Sequence, residues 1–190
     1  MKIHMILLAA GFSSRFGSNK LLYPVDGKAM FLHTMTLMAE LAEELKEADV
    51  SVVTRYQEIS DEAEKMGIRC LINSHSERGI SSSMQIGLKA NLEDEDYYAF
   101  FTADQPSLKK ETVRKFLCRF LESGKGIGCV SVQGTAKNPC VFHSCYAQEL
   151  LSIQGDRGGK QVVNRHPEDV FLYEIREEEA EDIDTPDKMK

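Results

Sequence analysis

Apolar residues fill every position from Met5 to Ala10, in the stretch His4-Met-Ile-Leu-Leu-Ala-Ala10, and Gly11 closes the run. A short continuous apolar run of this kind reads as a strand buried on both faces of a parallel sheet. After a polar loop, Phe31, Met35, Met38, Ala42 and Leu45 recur at helical spacing, and Val50–Thr54 reads as a second strand. The alternation continues with a helix over Glu58–Met66, a strand over Arg69–Asn73 and a helix over Ser81–Leu92 whose apolar positions are Met84, Ile86 and Leu88. An aromatic strand over Tyr97–Ala103 and a helix over Lys109–Leu121 come next. Strands over Gly128–Gln133 and Pro139–His143, helices over Tyr146–Ile153 and Gly158–Asn164, and a last strand over Val170–Ile175 complete the pattern. Strands alternating with helices over this length predict an α/β sandwich built on a mostly parallel sheet.

No repeat, low-complexity tract or linker-like stretch divides the chain, and 190 residues suit a single domain over 1–190 that buries around 70% of its unfolded surface. The acidic run Glu177–Glu181 reads as a solvated turn. The formal charge of -7 and pI near 5.3 argue against nucleic acid as the main partner, which demands a basic face. A polyanionic ligand must therefore be met by local positive charge. Five scattered cysteines without a C-x-x-C pair favour reduced thiols, and the apolar N-terminal run is too short for a signal-peptide core or a membrane span. A cytoplasmic protein with no membrane partner is the expectation.

In parallel sheets ligands collect at the carboxyl ends of strands, so the residues just after each strand carry the candidate chemistry. The first loop, Leu8-Ala9-Ala10-Gly11-Phe12-Ser13-Ser14-Arg15-Phe16-Gly17-Ser18-Asn19-Lys20, offers small residues, consecutive amides and two cations, the parts of a phosphate cradle. It is neither a dinucleotide fingerprint nor a Walker loop. Gly124-Lys-Gly-Ile-Gly128 follows a helix and enters a strand, so it reads as a helix-ending turn. Asp104 lies just beyond the aromatic strand, either as a ligand of a hard cation or, with Ser107, as a cap for the next helix. Asp182 and Asp184 stand two apart in extended chain and project the same way, as a metal pair or as the approach to a helix capped by Thr185 and Pro186. Gly79-Ile-Ser81-Ser82-Ser83 opens a helix with free amides and hydroxyls, and Gly155-Asp156-Arg157-Gly158-Gly159 is a tight turn carrying an acid and a base. The five histidines make no metal spacing.

Taken in order, Leu8 to Pro24, Gly79 to Gly87, Asp104-Gln-Pro106, Asn138-Pro139, Gly155 to Gly158 and Asp182 to Pro186 resemble the successive motifs of the molybdenum cofactor cytidylyltransferases. The resemblance spans nearly the whole chain. It implies a Rossmann-like three-layer sandwich of the nucleotide-diphospho-sugar transferase type, with an additional short β segment covering the acceptor. It implies transfer of CMP from CTP to a molybdopterin-type phosphorylated acceptor with release of pyrophosphate, and delivery of the product to a molybdenum hydroxylase or its chaperone. Arg15 and Lys20 would neutralise the triphosphate, and Asp104 and Asp184 would hold Mg2+ with Asp182 in reserve. Leu8 and the backbone at Ala9, Ala10 and Gly11, with Ser82 and Ser83, would face base and ribose; Asn138, Asp156 and Arg157 would face the acceptor. Ala10 and Lys20-Leu-Leu-Tyr-Pro24 match the cytidylyl type rather than the guanylyl type. Ala103 and Lys137-Asn138 depart from the common pattern, which has Gly before the aspartate and Gly-His before the proline. Transfer with GTP or onto a sugar or alditol phosphate, and a carrier that binds without reacting, are the competing readings.

Overall fold

The computed structural model describes residues 1–11 and 19–184. Strand β1 (Ile3–Ala9) is central, and every residue in it is buried. It is followed by two short strands, β2 (Pro24–Val25) and β3 (Lys28–Ala29), then helix α1 (Met30–Glu44), β4 (Ala48–Thr54), α2 (Gln57–Lys65), β5 (Arg69–Ile72) and α3 (Ile80–Lys89). The second half comprises β6 (Tyr97–Thr102), α4 (Lys110–Ser123), β7 (Ile127–Val132), β8 (Thr135–His143), α5 (Ala147–Ser152), α6 (Lys160–Arg165) and β9 (Val170–Glu174). The main sheet runs β5-β4-β1-β6-β8-β7-β9. Its pairs are parallel except β6·β8 and β7·β8, so β8 alone runs against the others.

Side-chain alternation along β1 divides the core into two layers. Ile3, Met5, Leu7 and Ala9 pack with residues of α1, α2 and α4, such as Met38, Ile59 and Phe116. Ile6 and Leu8 face the opposite way, against Met84 and Leu88 of α3, Leu150 of α5 and Val162 of α6. Helices thus cover both faces, as the strand-helix alternation requires. Burying each of Met5, Ile6 and Leu7 completely contributes roughly 2 kcal/mol.

Several local expectations are corrected. The helix α4 begins at Lys110 with Lys109 as an N-cap lacking a side-chain bond, so neither Asp104 nor Ser107 caps it. On α3, Met84 and Leu88 are buried and four apart, whereas Ile86 is half-buried on the flank. The acidic run forms a 3-10 turn over Glu177–Ala180 in which Glu179 is buried, 3.8 Å from the Lys109 ammonium, rather than wholly solvated. The β2–β3 hairpin stands apart from the main sheet and lines neither cleft cavity, whereas residues 136–138 at the start of β8 line one of them. Gly124 does end α4, in the left-handed conformation. Arg15 and the rest of 12–18, and the proposed cap at Thr185 and Pro186, lie outside the described residues. No described helix is long and apolar enough to cross a membrane.

At the end of the sheet away from the cleft, His4 is buried between two carboxylates, with Nδ1 3.0 Å from Asp49 and Nε2 3.0 Å from Asp96. Its ring stacks on Tyr98. Burial opposes charging this imidazole, but the two hydrogen bonds and the carboxylate charges outweigh it, and its pKa is raised from 6.5. The Asp49 and Asp96 carboxyls also lose solvation, yet the His4 and Lys2 bonds hold both below 3.8. The stability from His4 is therefore complete below 6.5 and lost as pH rises through its raised folded value; that from the carboxylates is lost in acid. We expect the urea midpoint to fall as pH is raised from 6 to 9. His4→Gln should remove that slope and cost roughly 1–3 kcal/mol at pH 6.

Candidate active site

The chain crosses from β1 to β4 on one side, while β6 lies on the other, so the carboxyl ends of β1 and β6 flank a topological switch point. A cavity of about 420 Å³ opens there. Leu8, Ala10 and Gly11 line it from β1, and Thr102, Ala103 and Asp104 from β6. Lys20 and Leu21 close one end; Ser76, Gly79, Ile80 and Ser83 form the other, with Asp156 alongside.

Lys20 organises the first end. The Asn19 side chain accepts from the Leu21 amide and caps the 3-10 turn that presents Lys20. The ammonium donates to Asp104 Oδ2 at 2.8 Å, Asp184 Oδ1 at 3.0 Å and the Ile183 carbonyl at 3.1 Å. Burial works against this charge, but Asp104 and Asp184 more than offset it and raise the lysine pKa, so the cation is permanent at neutral pH. Ile183 is buried, and its amide donates to the Asp104 carbonyl, which leaves Asp182 and Asp184 pointing outward as an extended pair should. Desolvation and the adjacent charges of Asp104 and Asp184 push the Asp182 carboxyl up to about 6. Asp104 Oδ1 and Thr102 Oγ1 are buried and have no hydrogen-bond partner among the described residues. A buried carboxylate oxygen without a partner is costly unless a ligand meets it.

The glycine loop is anchored from β4. Thr54 Oγ1 donates to the Ala9 carbonyl at 2.9 Å, and the Tyr56 hydroxyl donates to the Gly11 carbonyl at 2.5 Å. With those carbonyls engaged, the turn after β1 is fixed from behind.

At the second end, Asn73 follows β5 and is fully buried. Its Nδ2 donates to Ser82 Oγ at 2.8 Å and Ser83 Oγ at 2.9 Å, while its Oδ1 accepts from the His75 amide. Gly79 is the N-cap of α3, with φ of 86°. The Gly155–Asp156 turn is seated on it: the Ser81 amide donates to the Gly155 carbonyl at 3.2 Å. A Cβ on Gly79 would overlap the Gly155 backbone and lie 2.5 Å from Asp156 Oδ1 and 2.6 Å from its amide nitrogen.

A second cavity of about 260 Å³ adjoins the first, sharing Leu8, Ile80 and Asp156. Phe100, Phe142 and Met84 give it an apolar floor, and Lys137, Asn138, Lys160 and Asp182 stand at its edge. The two joined cavities differ in character, one charged around Lys20 and Asp104 and the other mixed apolar and cationic.

Residues 5–170 match the MobA-like NTP transferase domain family. The chain belongs to that family. A probable molybdenum cofactor guanylyltransferase of Thermococcus gammatolerans is 29% identical over 165 residues, covering 84% of this chain and 78% of the relative. Among solved structures, Rv0371c of Mycobacterium tuberculosis superposes with a TM-score of 0.77 at 20% identity, covering 98% of this chain and 94% of the other. A structure of that protein in complex with manganese superposes at 0.71, with 18% identity and coverage of 92% and 89%. These superpositions support the three-layer nucleotidyltransferase fold.

In this MobA-like domain, the first cavity gathers Leu8, Ala10, Gly11, Lys20, Ser83, Asp104 and Asp156, and the second gathers Asn138, Asp156 and Asp182. Ala9, expected to offer its backbone, is fully buried and turns its side chain into the core, since it alternates with Leu8 and Ala10. Two other residues expected at the ligand line neither cleft cavity. Ser82 spends its proton on the Gly79 carbonyl at 2.8 Å and lines a neighbouring hollow. Arg157 is exposed and lines neither cleft cavity. Asp104, Asp182 and Asp184 do not form a ready three-carboxylate cage: no group of three metal-binding side chains is assembled among the described residues. Sequence reading passed over Ser76, Thr102, Asn73, Thr54 and Tyr56. All but Ser76 lie at or just beyond the carboxyl end of a strand, a placement that singles them out once the strands are known.

Gly79→Ala should dislodge the Gly155–Asp156 turn and destabilise the protein by about 2 kcal/mol or more, read as a lowered thermal midpoint. Gly124→Ala, where a Cβ meets open space but φ is 66°, should cost about half as much.

Proposed function

We propose that this nucleotidyltransferase moves CMP from CTP to the terminal phosphate of a molybdopterin-type acceptor in the cytoplasm, with Mg2+ as its metal. The observation that carries the reading is Lys20 bridging Asp104 and Asp184 across the mouth of the cleft, beside an unpartnered Asp104 oxygen. An oxygen of the acceptor phosphate attacks the α-phosphorus; its bond to the β-bridging oxygen breaks, and the electron pair departs with pyrophosphate. The protein's share is alignment and neutralisation of charge. Lys20 faces the triphosphate. Asn138, Asp156 and the cations Lys137 and Lys160 orient the acceptor over the apolar floor formed by Phe100 and Phe142.

Charge balance argues for the metal. Two anionic substrates would enter a cleft already holding Asp104, Asp156, Asp182 and Asp184, and the described cations there are Lys20, Lys137 and Lys160. Hard oxygen donors at Asp104 and Asp184, with Asp182 in reserve, suit a divalent cation, and the manganese complex of the Mycobacterium tuberculosis protein agrees with that chemistry. When bound, the cation supplies Lewis-acid neutralisation of triphosphate oxygens. Cytidine is favoured by Ala10, which is buried in the cleft lining, and by the Lys20-Leu-Leu-Tyr-Pro24 segment. GTP is the second reading, favoured by the name of the Thermococcus relative.

Pyrophosphate release from CTP, GTP, ATP and UTP, with magnesium and with or without molybdenum-loaded pterin, tests this. Release from CTP only with the pterin is expected; release from GTP instead would change the base and leave the chemistry standing. Asp104→Ala should lower turnover by about a thousandfold, the scale of losing a preorganised charge contact, and near-normal turnover at saturating magnesium would remove it from the site. Lys20→Ala should cost about a hundredfold while leaving the fold intact by circular dichroism.

A further inference from the structure

In the proposed reading the phosphates meet Lys20 and Asp104 at one end of the first cavity, so the base lies toward Ser76, Gly79, Ile80 and Ser83. Two hydroxyls there are more than nine-tenths buried: Ser76 is 8% exposed and Ser83 4%. Each already accepts a hydrogen bond from behind. Arg55 Nη1 donates to Ser76 Oγ at 3.2 Å, and Asn73 Nδ2 donates to Ser83 Oγ at 2.9 Å. The direction of the Asn73 amide is set independently, because its oxygen accepts from the His75 amide at 2.9 Å; only the nitrogen end can face the serines. Ser82, beside them, donates to the Gly79 carbonyl. Neither the Ser76 nor the Ser83 proton has an acceptor among the described residues.

We propose that Ser76 and Ser83 read the base as a pair of hydrogen-bond donors, and that Asn73 is the positioning residue turning the Ser83 proton toward the ligand. This rests on the cavity being the nucleoside triphosphate site. A hydroxyl whose oxygen is engaged by an amide N–H presents its hydrogen outward, so a base edge with adjacent acceptors is matched and one carrying an N–H is not. Cytosine offers O2 and N3, whereas uracil has a proton on N3. Guanine offers O6 and N7, whereas adenine carries an amino group beside N7. The cleft therefore selects cytosine over uracil and guanine over adenine, and pocket size decides between pyrimidine and purine. An analogue that sets a donor against a buried donor is rejected because both groups stay unpaired.

The test is equilibrium binding of CTP, UTP, GTP and ATP, with magnesium, to the wild-type protein and to Ser83→Ala, Ser76→Ala and Asn73→Asp. Wild-type protein should prefer CTP to UTP by roughly tenfold or more. Ser83→Ala should shrink that ratio severalfold while CTP still binds. Asn73→Asp replaces the donor with a carboxylate acceptor; Ser83 then donates backward and shows its lone pair to the ligand, so the CTP/UTP ratio should fall toward one or invert. A purely structural Asn73 would change all four affinities together. Should Asn73→Asp fail to fold, the Ser76→Ala/Ser83→Ala double variant carries the same readout. Wild-type protein that binds CTP and UTP equally, or serine variants that keep the wild-type ratio, would overturn the donor pair and leave the nucleotide site intact. Wild-type protein that binds none of the four would overturn the site itself.

Discussion

The ammonium of Lys20 joins three stretches of chain that are far apart in sequence. It bonds Asp104, 84 residues away, and Ile183 and Asp184, more than 160 residues away, at distances between 2.8 and 3.1 Å. A cation withdrawn from water in this way is tolerable only if its partners are held in place, and each is. Asp104 is fixed by the end of β6, through the Ala103 amide bonded to the Leu8 carbonyl, and by its own carbonyl bonded to Ile183. Ile183 is pinned by burial in the core. The chemistry of the cleft mouth and the docking of the C-terminal segment are therefore one interaction. Removing Lys20 takes its cation from the Asp104 and Asp184 carboxylates, while β6 and the buried Ile183 keep their places.

The opposite end of the cleft depends on a steric constraint rather than an electrostatic one. Gly79 must be glycine twice over, for its positive φ and because the Gly155–Asp156 backbone occupies the space of a side chain. That contact brings the Gly155–Asp156 turn against the start of α3, at one end of the first cavity. The two cavities are thus coupled through backbone packing, with Asp156 lining both.

Under the proposed reading, an acidic protein meets two phosphorylated substrates in a cleft where the described carboxylates Asp104, Asp156, Asp182 and Asp184 outnumber the described cations. In that reading the arrangement suits phosphoryl chemistry in which a divalent cation would bring the missing positive charge to the oxygens of Asp104 and Asp184. The positive charges that the described residues supply are divided between the two cavities: Lys20 in the first, Lys137 and Lys160 beside the apolar floor of the second.

The sequence by itself determined the layer architecture, because hydrophobic period is local. The apolar run at Met5–Ala10, the helical spacing of Phe31, Met35 and Met38, and the strand-helix alternation left an α/β sandwich as the arrangement that buries every apolar face. It also pointed to Lys20, Asp104 and the Asp182–Asp184 pair, since charged residues just beyond apolar strands have few reasons to be there. Which of these meet was decided by tertiary structure. Pairing of Lys20 with Asp104 and Asp184 depends on strand order and on where the C-terminal segment docks. Assigning Ser82 to the Gly79 carbonyl and Ser83 to the cleft depends on the buried Asn73, which no periodicity marks. The Ala9 side chain faces the core because a strand's side chains alternate, and only the packed sheet fixes which face is which. Hydrogen-bond direction and long-range charge pairing are properties of the assembled fold, and they separate a site residue from its neighbour in the same motif.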